Sequence, residues 1–333
     1  MNEQGKTVNV KLVPPATFAS WVGAVASVLK SRKVKCDNTD VAGMGGYAFL
    51  VNVHPDLCPS GPTTFDWDML VEGTAALGID VQLVAAPRRE EDDARLAAEL
   101  FEKVKAEIDA GRCCVVWGAT CAPEFAVAYG YQGNNYLVRS FRTAQKGCKQ
   151  AVGPAEMPED PVPFDHLESP GCFGVFLLGE PTRPDAARAD RNAVTRAVQL
   201  LRDRHPCLAP GYSHGAAGLR TWADALDKTA AKVNPFGNAY NAVCYRELQE
   251  FGAGFLSRLS KRNKSAAKPL AEAGHALAGS ARNLEAVVGL FPFPEGNGLD
   301  DPNKMREAAR LLRECAELNT AAASALELAL GLM

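Results

Sequence analysis

Residues 113–141 read CCVVWGATCAPEFAVAYGYQGNNYLVRSF, and they contain three short apolar runs rich in valine and aromatic side chains. Such runs, bounded by glycine, proline and asparagine, are typical of β-strands. The link QGNN at 132–135 favours a hairpin, because glycine and asparagine tolerate positive φ. A fourth run, CFGVFLLG at 172–179, follows a proline-rich connection over 143–171. Together these runs predict an antiparallel meander.

The segment before this meander reads mainly as helix. A helix over 17–31 is predicted by apolar residues at helical spacing, namely Trp21, Val22, Val25, Val28 and Leu29. Further helices are predicted at 66–77 and 90–109, with a strand at 79–84 between them. Helices that precede a run of antiparallel strands indicate an α+β fold, not the strand–helix alternation of a doubly wound parallel sheet.

The remainder of the chain is rich in alanine and leucine at three-and-four spacing, which is typical of helices that share one core. We therefore predict two domains, an α+β domain over 1–182 and an all-α helical bundle over 183–333. The predicted helices of the bundle cover 183–203, 216–231, 237–260, 264–290 and 302–331.

Composition and charge exclude several classes of protein. The chain is 47% hydrophobic and 23% charged, as in ordinary globular proteins, and its formal net charge is −3. This charge leaves no basic field for nucleic acid or an anionic membrane surface. No apolar run approaches the ~18–20 residues of a membrane span, and the start MNEQGKTVNVKLVPP does not have the pattern of a signal peptide. We expect a cytoplasmic protein that binds neither nucleic acid nor membrane.

The ten cysteines do not follow a metal-binding or disulfide pattern. No C-x-x-C occurs, and Cys113, Cys114 and Cys121 do not have the spacing of zinc ligands. Ten cysteines in 333 residues are also far fewer than a disulfide scaffold uses. We expect reduced, mostly buried thiols, with no metal site and no cofactor.

Three stretches of the first domain carry a resemblance to a known family. They are SWVGAVASVL (20–29), EFAVAYGYQ (124–132) and YLVRSF (136–141). They resemble the papain-like cysteine peptidases, closest to the double-glycine leader peptidases and the amino-terminal domain of the BtrH-type acyl transferases of butirosin biosynthesis. That family places a cysteine at the start of a helix, a histidine on a strand, and Asp or Asn after the next strand. The resemblance implies a papain-like domain over about residues 10–180.

Two further similarities point to a subgroup of this family. GMGGYAF (43–49) followed by CPSGPTTFDWD (58–68) is similar to uncharacterised bacterial proteins with this fold. The helical part is similar to the domain that often accompanies them, through GYSHGAAGLRTWADAL (211–226) and GLFPFP (289–294). The resemblance thus implies a papain-like domain followed by a helical domain.

None of the three positions that match the family's catalytic triad holds the family's residue. Ser20 stands in place of Cys, Glu124 in place of His, and Ser140 in place of Asp or Asn. A serine hydroxyl has no acidic proton to lose near neutral pH, and an ordinary carboxylate is a poor base for an alcohol. Burial raises a carboxyl pKa and would improve Glu124 as a base. If the register is wrong, Cys36 and Cys58 are the nearest alternative nucleophiles.

Other residues have both a structural and a functional interpretation. Gly45, Gly46 and Tyr47 belong to a glycine-rich loop that either brings backbone N–H groups to a ligand or supplies a turn with positive φ. Asp66 is expected to cap a helix start, and Trp67 beside it is expected either to pack in the core or to bind the ligand. Glu124 is expected to pair with Arg139 or Arg142 across a hairpin, unless it serves as a functional carboxylate. In the second domain His214 lies in a glycine-rich helix start.

We predict a catalytically degenerate relative of the peptidases and acyl transferases that binds a small-molecule or peptide-like ligand. The expected site is a cleft between the domains, framed by Ser20, Trp21, Tyr47, Glu124 and His214. One alternative is an acyl- or amide-transferring or hydrolysing enzyme with Glu124 as acid/base. Another is an interaction protein that forms a homodimer or larger oligomer through the helical domain.

Overall fold

The computed structural model describes residues 5–13, 15–141, 161–228 and 233–333. The chain divides into two compact units. The sheet unit comprises Met1–Val41 and Leu77–Pro184, and the helical unit comprises Ala42–Ala76 and Asp185–Met333. The fold is α+β, as predicted, with an antiparallel sheet in the first unit and packed helices in the second.

Most predicted helices and strands are present, and three of the helices begin at a residue whose side chain caps them. The Asp185 side chain accepts hydrogen bonds from two backbone amides at the start of one helix, and Asn234 and Asp301 cap two others. In chain order the elements are β1 (Gly5–Thr7), α1 (Ser20–Ser31), α2 (Asn38–Gly45), a 3-10 turn (Tyr47–Phe49), β2 (Asn52–Val53), α3 (Asp68–Ala75), β3 (Ile79–Pro87), α4 (Asp93–Asp109), β4 (Cys114–Trp117), β5 (Phe125–Gln132), β6 (Asn135–Arg139), β7 (Val162–Pro163), β8 (Cys172–Pro181), α5 (Ala186–Leu201), β9 (Ser213–His214), α6 (Gly215–Lys228), α7 (Pro235–Arg262), α8 (Ala267–Leu290) and α9 (Pro302–Leu332).

The main sheet has the strand order β3-β8-β4-β5-β6-β7, and β1 also pairs with β5. All of these pairings are antiparallel. The hairpin from β5 to β6 turns at the predicted link, with Gln132 opposite Asn135. The prediction of a simple meander is wrong for β8, which lies between β3 and β4. The short strand β7 pairs with β6. β8 pairs with β4 on the side that does not face β5.

Both faces of the sheet are covered within the sheet unit. Side chains of successive strand residues point to opposite faces. On one face Val116, Ala126 and Val175 pack with the buried side of α4. On the other face Phe125 and Phe176 lie with Trp21 of α1. The sheet is therefore a central layer between α1 and α4, and the start of α1 lies against β5.

The helical unit contains a segment that the sequence places in the first domain. In the structure Ala42–Ala76 groups with the helices. β2 pairs with β9, and the Tyr245 hydroxyl of α7 hydrogen-bonds to the backbone of Asn52. Gly43 lies so close to the Phe255 ring of α7 that a side chain there would clash. These contacts join residues far apart in the sequence, and a shift in composition along the chain does not reveal them.

Candidate functional site

Ser20 and Glu124 are in direct contact. Ser20 is the first residue of α1, and Glu124 immediately precedes β5. The Ser20 hydroxyl donates a hydrogen bond to Glu124 Oε2. Both residues are buried, with 3% of Ser20 and 9% of Glu124 exposed. The structure thus brings together two of the three residues that the sequence resemblance predicts at catalytic positions.

The same hydroxyl also accepts a hydrogen bond. The backbone N–H of Phe125 donates to Ser20 Oγ over 2.9 Å. Ser20 therefore joins the first turn of α1 to the first residue of β5 through two hydrogen bonds. Near this turn, Thr17 Oγ1 accepts from the Gly23 backbone N–H and donates to the Ala19 carbonyl. The N-terminus of α1 is thereby held in place beside the strand.

Backbone contacts fix the loop that carries Glu124. The Gly118 N–H donates to the Glu124 carbonyl over 2.9 Å, and the Glu168 N–H donates to the Gly118 carbonyl over 2.9 Å. Gly118 has φ of +74°, and an added Cβ would lie 2.6 Å from Glu168. A residue with a side chain is therefore excluded at this position by both conformation and space.

Ser140, the third matching position, is fully buried and follows β6 directly. Because β5 and β6 are antiparallel with Val127 opposite Arg139, Ser140 lies at the same end of this pair as Glu124. Arg139, one of the two predicted partners of Glu124, stacks over the Tyr129 ring at 4.5 Å and donates to the Val138 carbonyl. The other, Arg142, lies outside the described residues.

An aromatic layer supports the Ser20–Glu124 pair from within the sheet unit. The rings of Trp117 and Phe125 lie 4.8 Å apart, and Phe125 and Phe176 lie 5.9 Å apart. Trp21, predicted as a ligand-binding residue, contacts Phe176 edge to face at 5.7 Å. Trp21 is fully buried and packs in this layer, and its role in ligand binding stays a prediction.

The chemistry of the pair follows from its groups. A carboxylate within hydrogen-bond distance of a hydroxyl has the geometry that general-base catalysis requires. However, an unperturbed Glu has a pKa of about 4.3, far below that of an alcohol, so proton transfer from Ser20 is strongly uphill. The carboxylate is better suited to accept hydrogen bonds than to generate a serine nucleophile.

The two cysteines considered as alternative nucleophiles lie in different surroundings. Burial, with added repulsion from Asp40 and Asp37, raises the pKa of the Cys36 thiol to about 12. Cys36 is therefore protonated near neutral pH and is not an activated nucleophile. Cys58 Sγ accepts a hydrogen bond from the Ser60 hydroxyl over 3.0 Å.

The glycine-rich motif has the structural role that its sequence allows. Gly45 ends α2, and an added Cβ on Gly73 of α3 would collide with its backbone. Gly46 has φ of +81° and lies against the Arg196 side chain. Tyr47 is buried and donates from its hydroxyl to the Pro62 carbonyl over 2.6 Å. A helix end, rather than an open loop, therefore accounts for these residues, and their role in ligand binding stays a prediction.

Trp67 lies beside this motif in the helical unit. Its indole N–H donates to the Thr63 carbonyl over 2.9 Å, and it is almost fully buried. The Asp66 carboxylate accepts from the Asp68 backbone N–H over 3.0 Å, as expected for a residue at a helix start. These contacts explain both residues through the local structure.

His214 has a partner that the sequence did not indicate. Its Nδ1 lies 2.9 Å from Asp203 Oδ1, and Asp203 adopts a positive φ of 57°. Asparagines of the helical unit are buried as well, namely Asn52, Asn238, Asn241 and Asn319. The polar residues Asn238 and Asn241 are three positions apart, which places them on one face of their helix, whereas no pattern in the sequence indicates the burial of Asn52.

No family model matches this chain, and no curated protein matches it. Within the described ranges, no group of three or more His, Cys, Asp or Glu side chains is placed to hold a metal ion. In the same ranges, none of the helices is both long and apolar enough to span a bilayer. The nine cysteines of the described residues are free thiols.

Proposed function

We propose that the sheet unit is a papain-like domain that has lost cysteine-type catalysis and binds a small-molecule or peptide-like ligand. The observation that carries this proposal is the hydrogen bond between Ser20 and Glu124. These residues stand at the start of a buried helix and at the start of a strand, the positions at which the family holds its cysteine and histidine. The hydroxyl and the carboxylate replace the thiol and the imidazole.

The surrounding topology supports the same assignment. A papain-like site needs a helix N-terminus beside an antiparallel strand, with a third polar residue after the next strand. Here α1 contacts β4 and β5, and Ser140 follows β6. The order of helix, strand and strand along the chain agrees with the order of the family's three motifs.

Binding is favoured over catalysis by the state of the hydroxyl. Ser20 Oγ donates to Glu124 and accepts from Phe125, so its hydrogen-bonding capacity is largely used inside the protein. Each pKa unit by which the proton donor exceeds the base adds about 1.4 kcal/mol to the free-energy cost of proton transfer. The Glu124 carboxylate accepts a hydrogen bond from a neutral hydroxyl, and the several lone pairs of a carboxylate suit a ligand that donates hydrogen bonds.

The second candidate is an acyl- or amide-transferring or hydrolysing enzyme in which Glu124 is the general acid or base. The observation in its favour is the direct contact of the carboxylate with a hydroxyl, which meets the distance requirement for proton transfer. In this case Ser20 is the nucleophile, and a substrate that excludes water would have to raise the pKa of the carboxyl.

A ligand screen tests the first proposal. Thermal unfolding is measured with small metabolites and short peptides for the wild type, Glu124→Gln and Glu107→Gln. Glu107 pairs with Arg112 at the far end of β4, so its substitution removes one charge from the same unit away from the site. A compound that stabilises the wild type and Glu107→Gln, but not Glu124→Gln, supports binding at Glu124. A screen in which every stabilising compound acts equally on all three proteins contradicts it.

The enzyme candidate requires a different readout. Intact mass after incubation with activated esters and peptide amides detects an acyl group on Ser20. A covalent adduct that forms on the wild type and is absent from both Ser20→Ala and Glu124→Gln would establish the enzyme and overturn the binding-only proposal. Unmodified protein with turnover no faster than that of Ser20→Ala would exclude serine catalysis with these substrates.

A further inference from the structure

The helical unit contains buried polar atoms that the Ser20–Glu124 site does not explain. Within the described part of the chain, Asn52 Oδ1, Asn241 Oδ1 and His214 Nε2 have no hydrogen-bond partner. Asn52 and Asn241 are 0% exposed, and His214 is 8% exposed. Buried polar atoms are nearly always satisfied in folded proteins, because an unsatisfied one costs about 1–3 kcal/mol.

The hydrogen bonds of the other side-chain atoms identify these three atoms as acceptors. Asn52 Nδ2 donates to the carbonyls of Gly61 and Thr64, so the remaining atom of this amide is its oxygen. Asn241 Nδ2 donates to the Cys58 carbonyl over 3.3 Å, which fixes its orientation in the same way. His214 Nδ1 lies 2.9 Å from Asp203 Oδ1, so the tautomer with its proton on Nδ1 donates to this carboxylate and presents a lone pair at Nε2.

The strand pairing places two of these acceptors side by side. Asn52 of β2 is directly opposite His214 of β9. The Gly215 N–H donates to the Val51 carbonyl, so Asn52 and His214 form a non-hydrogen-bonded pair, in which the side chains approach most closely. Both side chains therefore project from the same face of this short ladder.

The third acceptor belongs to the same region through Gly61. The Gly61 carbonyl accepts from Asn52, and a Cβ added to Gly61 would lie 3.4 Å from Asn241 Oδ1 and 2.9 Å from the Tyr245 hydroxyl. The Tyr245 hydroxyl in turn hydrogen-bonds to the Asn52 backbone. A Cβ at Gly61 would also lie 2.2 Å from the Asn52 carbonyl oxygen, so Gly61 packs closely between Asn52 and Asn241 and a larger residue is excluded there.

We propose that these residues form a second site, in the helical unit, which binds a primary ammonium group. An alkylammonium group carries three N–H donors, and the site presents three acceptors. The Asp203 carboxylate, in contact with His214 Nδ1, favours a cation over a neutral donor. This site lies wholly in residues of the helical unit and does not depend on the function proposed for Ser20 and Glu124.

The same helix provides an internal comparison. Gln249 and Asn319 are also buried amides, but Gln249 Nε2 donates to Asn319 Oδ1 over 3.0 Å, and Asn319 Nδ2 reaches Ser280 and the Cys315 carbonyl. That group is satisfied by the protein alone. Gln249 is therefore a matched control for Asn241, on the same helix and equally buried.

Methylammonium is the probe, and tetramethylammonium is the matched cation without an N–H donor. We expect methylammonium to raise the unfolding temperature of the wild type in a saturable manner, and tetramethylammonium to have no such effect. Asn241→Leu, which removes one acceptor, should weaken the binding about tenfold or more, because a hydrogen bond to a charged donor is lost. Gln249→Leu should retain wild-type affinity.

A second measurement covers the case in which Asn241→Leu does not fold. In ¹⁵N-histidine spectra of the wild type, methylammonium should shift the Nε2 resonance of His214, identified by its absence from His214→Gln. Equal effects of the two cations would show a general salt effect and overturn the proposal. An unchanged Nε2 resonance at saturating methylammonium would show that ordered water alone satisfies these atoms and would also overturn it.

Discussion

The backbone N–H of Phe125 donates a 2.9 Å hydrogen bond to the hydroxyl of Ser20, the first residue of α1. Because Ser20 also donates to Glu124, one buried hydroxyl connects a helix and a strand that are distant in the sequence. This relationship makes the candidate site part of the framework of the sheet unit. Changes at Ser20 are therefore expected to affect stability as well as any ligand binding.

Removal of the Ser20 hydroxyl should destabilise the protein. Ser20→Ala leaves the Phe125 N–H and the Glu124 carboxylate without this partner, and we expect a loss of about 1–3 kcal/mol in the free energy of unfolding. Ser31→Ala, at the other end of α1, is the matched control, since Ser31 donates only to the Val28 carbonyl of its own helix. Denaturant unfolding measures both, and equal effects of the two substitutions would contradict a bridging role for Ser20.

Introduction of the catalytic residue types of papain-like peptidases at positions 20 and 124 should create a reactive thiol. In Ser20→Cys alone the new thiol lies beside the Glu124 carboxylate, which raises its pKa. In the double variant Ser20→Cys/Glu124→His the neighbour is an imidazole, whose protonated form lowers it. At mildly acidic pH we expect iodoacetamide to alkylate position 20 about tenfold or more faster in the double variant, because each pKa unit changes the thiolate fraction tenfold.

The labelling can be assigned without interference from other cysteines. The tryptic peptide over residues 12–30, LVPPATFASWVGAVASVLK, contains none of the ten native cysteines. Its alkylation is followed by mass spectrometry against pH. Identical profiles in the single and double variants would show that positions 20 and 124 do not form a cysteine–histidine pair, and the papain-like assignment would be wrong.

The sequence predicted those parts of the fold that depend on local patterns. The helix over 302–331 and the hairpin at 132–135 are confirmed, because helical periodicity, capping residues and turn-forming residues act over a few positions. The position of β8 beside β4 was missed, because alternation identifies a strand but not its partner. The helix α2 was missed because its glycines, Gly43 and Gly45, are unfavourable for helix formation.

The candidate site was predictable to a different extent in the two units. Ser20 and Glu124 were identified through the resemblance of their flanking sequences, and the structure places them in contact. The acceptors at Asn52 and His214 arise from a pairing of two-residue strands, which are too short to leave any periodic signal. Asp203, which lies just after the end of α5, contacts His214 Nδ1. No pattern in the sequence relates these two residues.

The glycine-rich motif provides a test of its structural interpretation. Gly46→Ala should destabilise the protein by about 1–2 kcal/mol or more, because Gly46 has φ of +81° and a new Cβ would collide with Arg196. Gly289→Ala is the opposite control, since Gly289 lies in the last turn of α8 with nothing within 4 Å of an added Cβ. We expect Gly289→Ala to be neutral or stabilising by up to about 1 kcal/mol. If Gly46→Ala does not lower stability in thermal and denaturant unfolding, the structural interpretation of the motif is wrong.

Alkaline pH should destabilise the protein through its buried thiols, and Cys315 of α9 is the clearest case. Burial raises the pKa of this fully buried thiol from 9.0 to about 11. Well below pH 9 the thiol is protonated in both states and contributes nothing to the pH dependence. As the pH rises towards 11, the unfolded chain releases this proton and the folded protein retains it, so stability falls. Cys315→Ala removes this contribution, and its stability between about pH 8 and pH 10 should fall by about 1 kcal/mol less than that of the wild type. Leu312→Ala, a buried substitution on the same helix, should lower stability but keep the wild-type pH dependence. Parallel pH profiles for Cys315→Ala and the wild type in denaturant unfolding would show that this thiol titrates alike in both states.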